Sequence, residues 1–231
     1  MKVSFLFFFM FIITIEFFPL SGQNQISIEL EPFDQLSVSG RIDLELVRSD
    51  LAEMQITCRR IDPEKIKTVF EDGKLSIKIP PKIKNEDAVT IILPYHSLTT
   101  IHAAAGAVIN SARDLTAHHL DLSASTGGKI ELSVQTSHIR AKVSQVSDII
   151  LYGKSSVQEV MVKTGGNYLA VDMVCDSTYI TVNGGGQGKI TSLKYLDANA
   201  KAKGFIGYSG NPETMSLQTL LGGTISKYDE N

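Results

Sequence analysis

The chain has 231 residues, 43% of them hydrophobic, and its 22 basic and 25 acidic side chains give a formal net charge of −3. This balance excludes the strongly basic surface that binding to a polyanion needs, so we predict no nucleic-acid partner. The two cysteines, Cys58 and Cys175, are too few for a four-cysteine zinc site. Because they lie far apart in the chain, we expect two separate packed thiols.

Residues 1–22 have the layout of a secretory signal peptide. Lys2 gives a positive start, an apolar run spans residues 3–15, and Glu16 and Pro19 interrupt the run. A membrane-spanning helix needs about 20 apolar residues. We therefore predict cleavage after residue 21 or 22 and a mature chain without a transmembrane span. Export would deliver it to the periplasm, the outer membrane surface or the extracellular space.

Residues 23–102 are rich in strand patterns. The segments at 26–30, 42–46, 75–79 and 89–93 either alternate apolar and polar residues or run through β-branched ones. We interpret this region as opening coils or as a cap over the edge of a larger β-structure. It is expected to form one continuous domain with the rest of the chain, residues 23–231.

Residues 103–231 repeat a short motif about every 20 residues, in which a cluster of small residues and glycine precedes an alternating strand. The motif closes on an apolar residue seven times, at Ile109, Ile130, Ile149, Leu169, Ile190, Ile206 and Ile225. A second series is formed by Leu120, Ile139, Val160, Ile180, Leu196 and Leu217. Units this short bury one face only by stacking on their neighbours, so the repeat predicts an all-β solenoid with parallel coils.

The recurring glycines are predicted to turn the corners between strands, where a positive φ favours glycine. The residues concerned are Gly106, Gly127, Gly165, Gly184 and Gly222. A ligand cradle is the alternative for the run NGGGQGK at 183–189. That run lacks the first glycine of a phosphate-binding loop and the serine or threonine after its lysine, so we predict no nucleotide site and no cofactor.

Several motifs together resemble a known family. They are the Ile-Leu-Pro step at 92–94, the run Gly-Tyr-Ser-Gly-Asn-Pro at 207–212, and the repeated glycine-cluster strands between them. This order is similar to that of the autotransporter adhesin head GIN domain family of exported bacterial proteins, over nearly all of the mature chain. The resemblance implies a right-handed parallel β-helix-like fold, export to the cell envelope and an adhesive role. It implies no catalytic residues.

A polysaccharide lyase or glycosidase is the alternative function, because parallel β-helices also carry such enzymes. Glycoside hydrolysis needs two carboxylates about 5 to 9.5 Å apart, and coils stack about 4.8 Å apart. Aligning the coils on the second apolar series gives no column with such an acidic pair. We therefore predict a binding module that is not an enzyme.

The residue before each member of the second apolar series should point outward, because side chains alternate along a strand. These residues form a predicted binding ladder of His119, His138, Glu159, Tyr179 and Tyr195. Its chemistry suits a glycan or a protein of the envelope or host surface. The alternative is an ordinary solvated sheet face with pairs such as Asp121 and Arg140. Two histidines without a third ligand predict no metal site.

Overall fold

The computed structural model describes residues 23–79 and 88–228, which are almost entirely β-structure. The predicted signal peptide lies outside the described residues. The strands are β1 Gln23–Glu29, β2 Gln35–Ser39, β3 Asp43–Arg48, β4 Glu53–Arg59, β5 Lys67–Glu71, β6 Lys74–Lys78, β7 Ala88–Tyr95, β8 Thr100–Ala104, β9 Val108–Ser111, β10 Leu115–Ser125, β11 Lys129–Val143, β12 Asp148–Val162, β13 Asn167–Val182, β14 Gln187–Lys201, β15 Phe205–Ser209, β16 Thr214–Leu220 and β17 Thr224–Lys227. The helical element found among the described residues is one 3-10 turn, Pro63–Lys65, so no helix described there could cross a membrane.

The strands form a β-solenoid of about seven turns with coils about 19 residues apart, which confirms the predicted fold class. In the long strands β11 to β14, the alternation of inward and outward side chains changes phase midway, near Ser137 in β11. Each of these strands therefore has a first arm and a second arm. The first arms continue the ladder of β7, β3 and β9, and the second arms continue the ladder of β6, β2, β8 and β10.

The interior of the solenoid is a set of apolar columns, one residue per coil. Ile109, Ile130 and Ile149 stack in register in the first arms, as the repeat predicts, and all three are fully buried. Burying one such side chain contributes roughly 1.5 to 3 kcal/mol. A single coil gains this only from the coils above and below it, which is why the structure depends on stacking.

The next two coils depart from the predicted series. Tyr168 and Gly188 continue the column below Ile149, followed by Ile206 and Ile225, while Leu169 points outward and Ile190 stacks on Ala170. The large Tyr168 ring is paired with a glycine in the following coil. A Cβ at Gly188 would lie 2.6 Å from the Ile180 side chain, so the column has no room for a larger residue there.

The second apolar series is also shifted in these coils. Ile139 pairs with Gln158 and not with Val160, and Gln158 pairs with Thr178. Gln158 and Thr178 are fully buried polar residues in a column that is otherwise apolar. They are tolerated because Gln158 Nε2 donates to Thr178 Oγ1 at 2.9 Å and Tyr168 OH donates to Gln158 Oε1 at 2.8 Å.

Two consecutive residues with positive φ make the turn between successive coils. All five glycines predicted at corners have positive φ, as expected. In five turns at least one of the two residues is glycine, whereas Gln145–Val146 and Ala202–Lys203 adopt the same conformation without one. Val146 has a φ of 57°, which is strained for a β-branched side chain.

The two ends of the solenoid differ. At the N-terminal end, β4 adds antiparallel to β7, β1 adds antiparallel to β4, and β5 adds antiparallel to β6. The coil of β2 and β3 lies between the coil of β6 and β7 and that of β8 and β9, so spatial order and chain order differ here. At the C-terminal end, β16 and β17 are the outermost strands.

Candidate functional site

The predicted ladder residues lie on the outward side of the second arms of β10 to β14, which we call the ladder face. They occupy two neighbouring columns and not one. The first column contains His119, His138, Val157, Ser177 and Tyr195, and the second contains Asp121, Arg140, Glu159, Tyr179 and Asp197. Glu159 and Tyr179 are therefore displaced by one column from the predicted position.

The displacement follows from the buried polar pair. The prediction aligned coils on apolar residues, and Gln158 and Thr178 occupy the positions where an apolar residue was expected. Aligning on Val160 and Ile180 shifted the register by two residues in these coils. A constant offset of 19 residues from β11 to β12 would have placed Glu159 beside Arg140.

In β10 to β12, the ladder face is a network of histidine, arginine and carboxylate side chains. His119 Nε2 lies 3.2 Å from Asp121 Oδ1, and His138 Nε2 lies 3.1 Å from Glu159 Oε1. Arg140 lies between the two carboxylates, 3.4 Å from Asp121 and 3.6 Å from Glu159. The predicted pair of Asp121 and Arg140 is thus present. The two histidine rings pack edge to face with centroids 5.0 Å apart. These contacts hold the side chains in one arrangement across three coils.

In β13 and β14, the ladder face is aromatic. The rings of Tyr179 and Tyr195 lie 5.4 Å apart at an angle of 43°. Tyr179 is 45% exposed, and Met161 beside it is 40% exposed. An exposed apolar surface within a polar network is a common feature of binding surfaces.

The central part of the ladder face forms a shallow groove of about 880 Å³. Its walls include His138, Arg140, Glu159, Tyr179, Asp197 and Asn199. Two shielded polar atoms in this groove, His138 Nε2 and Asn199 Oδ1, have no partner in hydrogen-bonding geometry among the described residues. The 3.1 Å contact of His138 with Glu159 is therefore a close contact without a directed hydrogen bond. A rotation of either side chain would turn its unbonded atom toward a ligand in the groove.

The register also changes the acidic pattern. Asp121, Glu159 and Asp197 share the second column, each two coils from the next. The prediction that no column holds acidic residues one or two coils apart is therefore wrong. Two coils correspond to about 9.6 Å at about 4.8 Å per coil, near the upper limit for an inverting glycosidase. Arg140 engages both Asp121 and Glu159, and Tyr179 separates Glu159 from Asp197.

Two further positions of the face were not indicated by the sequence pattern. Asn199 belongs to a third column with Lys142 and Met161, and its amide lies 3.4 Å from Gln218. His102 lies in the same column toward the N-terminal end, where burial, with a smaller effect from the charge of Lys74, lowers the pKa of its imidazole. In the part of the chain that the structure describes, no three potential ligands are grouped so as to hold a metal ion.

Comparisons with solved structures support the fold. A "putative adhesin" from Bacteroides fragilis has a TM-score of 0.78 and 19% identity, with 91% of this chain and 99% of that chain covered. A "putative adhesin" from Parabacteroides merdae has a TM-score of 0.71 and 16% identity, covering 91% and 98% of the two chains. A "putative lipid binding protein" from Parabacteroides distasonis has a TM-score of 0.71 and 18% identity, with the same coverage.

A comparison with curated proteins finds no significant match. A family model matches residues 32–212, from the β2 coil through β15 to the Gly-Tyr-Ser-Gly-Asn-Pro run. The chain belongs to the family described as "Putative auto-transporter adhesin, head GIN domain".

Proposed function

We propose that this chain is an exported, adhesin-like surface module that binds an extended neutral glycan along the ladder face and does not turn it over. Membership of the adhesin family supports a surface role. The leader-like residues 1–22 support export. The choice of ligand rests on the chemistry of the groove.

The observation that carries the proposal is a stacked pair of tyrosines, Tyr179 exposed and Tyr195 half-buried, next to a groove whose polar side chains have unmet hydrogen-bonding capacity. A sugar ring has an apolar C–H face that packs on an aromatic ring, and hydroxyl groups at its edge that both donate and accept hydrogen bonds. Tyr179 and Tyr195 supply the first contact. His138 and Asn199 line the groove together with Tyr179, and the shielded atoms His138 Nε2 and Asn199 Oδ1 have unmet hydrogen-bonding capacity.

The charge balance favours a neutral ligand. The acidic residues of the second column, Asp121, Glu159 and Asp197, face the cations Arg140 and Lys142 on the same surface. The three acidic and two basic side chains nearly cancel, and Arg140 is paired with both Asp121 and Glu159. The face therefore has no net positive charge that would attract an anionic polymer. The columns continue over several coils, which suits an extended chain better than a single sugar.

A glycosidase is the second candidate, because Asp121, Glu159 and Asp197 lie two coils apart in one column. Binding is favoured over catalysis because the face is open, with Asp121, Arg140 and Glu159 each roughly two-fifths exposed. An open, solvated sheet does not exclude water or hold a carboxylic acid neutral in the way that glycoside hydrolysis requires.

The test is a binding screen of the mature chain against neutral β-glucans and α-glucans, with chondroitin sulfate as the anionic comparison. The double variant Tyr179→Ala, Tyr195→Ala should weaken retention of the neutral glycan at least tenfold. Tyr152→Ala is the matched control, since Tyr152 is an exposed tyrosine of a first arm, 37% exposed, away from the ladder face. Equal loss in the control, or preference for chondroitin sulfate, would overturn the proposal.

The same incubation separates binding from catalysis. Shortened oligosaccharides that appear with the parent protein and disappear with Glu159→Gln would establish the glycosidase and reject the binding module. Retention without products is the expected result. N-terminal sequencing of the protein recovered from the producing cells tests export separately, and a mature chain that still begins at Met1 would contradict it.

A further inference from the structure

The last coil of the solenoid leaves a strand edge open. Residues of β16 pair with β14 on one side, and no strand among the described residues pairs with the other side. The same is true of β17, which pairs with β15. Each unpaired edge presents backbone N–H and C=O groups that another strand can bond.

The side chains of this end are apolar where the preceding coils are buried. Leu217 stacks under Ala198 in an inward column, yet it is 44% exposed, and Met215, under the fully buried Leu196, is 50% exposed. Leu220 and Leu221 at the adjoining turn are 55% and 74% exposed. The apolar core of the solenoid therefore continues to this surface with nothing stacked below it in the described chain.

The strand itself lacks the usual protection against pairing. Natural edge strands carry charges, proline or a bulge that prevents association. The seven residues of β16, Thr214–Leu220, include no charged residue and no proline, and their register with β14 runs without a bulge. The edge strand β5 at the other end begins with Lys67 and ends with Glu71.

We propose that two copies of this chain pair end to end through their C-terminal coils, with β16 of one copy antiparallel to β16 of the other. A two-fold axis near the centre of the strand would set Leu217 of each copy against Leu217 of the other. Because the seven residues are uncharged, no like charges oppose one another in this arrangement. In this register Leu217 meets its own copy at the axis, and Met215 of each copy lies opposite Thr219 of the other, so the contact is self-complementary.

The paired solenoid would present two ladder faces on one continuous rod. Binding of one long glycan by both faces would then be intramolecular for the second face, which raises the overall affinity without new contacts. The pairing does not depend on glycan binding and can be tested without it.

The experiment measures the mass of the mature chain by sedimentation from about 1 to 200 μM, a range that spans micromolar dissociation constants. The parent is expected to be a dimer at the upper end. Leu217→Lys should weaken dimerisation at least tenfold, because two ammonium groups would then face each other. The change should leave the circular dichroism spectrum unaltered, because Leu217 is already 44% exposed.

The matched control is Val69→Lys, which places the same charge at a 50% exposed position on the edge strand at the opposite end. It should leave the mass of the dimer unchanged. A disulfide-linked dimer formed by Leu217→Cys under mild oxidation and not by Val69→Cys would fix the position of the contact, since Cys58 and Cys175 are buried. A parent that stays monomeric at 200 μM would overturn the proposal, as would a dimer broken by Val69→Lys and not by Leu217→Lys. If the parent is monomeric, the open edge is available to a strand of another protein.

Discussion

The buried cluster of Tyr168, Gln158 and Thr178 gives a sharp test of the fold. All three side chains are fully buried, and Tyr168 OH donates to Gln158 Oε1 at 2.8 Å. The change Tyr168→Phe removes the donor and leaves the amide oxygen of Gln158 shielded and unbonded. Leaving one buried acceptor unsatisfied costs about 1 to 3 kcal/mol. That is a large fraction of a domain stability of about 5 to 15 kcal/mol.

The decisive comparison is with the triple variant Tyr168→Phe, Gln158→Leu, Thr178→Val. It replaces every member of the cluster by an apolar group of similar shape, so no polar atom of these three side chains is left unsatisfied. The triple variant is expected to lie within about 1 kcal/mol of the parent, less destabilised than the single change. Urea unfolding followed by circular dichroism measures both free energies. An unchanged free energy of unfolding for Tyr168→Phe, or a triple variant destabilised by the sum of the three single changes, would show that these hydrogen bonds do not offset the burial of the polar groups.

Three further predictions concern the turn, the core and pH. Val146→Gly should stabilise the fold by about 1 kcal/mol in urea unfolding, since relief of a strained positive φ outweighs the flexibility of glycine; a lower stability would contradict this. Ile130→Asp should cost several kcal/mol by placing an unpaired carboxylate in a fully buried column, and an unchanged urea midpoint would show that Ile130 does not face the core. Because the folded pKa of His102 lies below 6.5, the stability linked to it should be present above pH 6.5 and lost as the pH falls through the folded value. His102→Gln should flatten that part of the stability profile from pH 7.5 to 5, and an unchanged slope would count against it.

The period and the corners could be predicted because they depend on local chemistry. Gly106 and Gly127 mark turns that need a positive φ, and Ile109, Ile130 and Ile149 mark coils whose apolar residues stack directly. The fold class followed from these two signals.

The register of the later coils could not be predicted, because it depends on contacts between coils. Gln158 and Thr178 are polar, and a sequence pattern places polar residues outside. Both are buried because each has a hydrogen-bond partner from another coil. Gly188 lies beside Tyr168 in the next coil, at a position where the Ile180 side chain leaves no room for a Cβ. The columns of the ladder face, and with them the alignment of Asp121, Glu159 and Asp197, depend on this register.

Binding of a neutral glycan by the ladder face can be observed by mapping the contact residue by residue. Backbone amide chemical shifts of the isotopically labelled mature chain would be followed while the neutral glycan retained in the screen is added. The shifted amides should lie in the second arms, around His138, Glu159, Tyr179, Tyr195 and Asn199. The amides of the first arm around Tyr152 should not shift. Shifts centred on the first arms or on the ends of the solenoid would contradict binding at the ladder face.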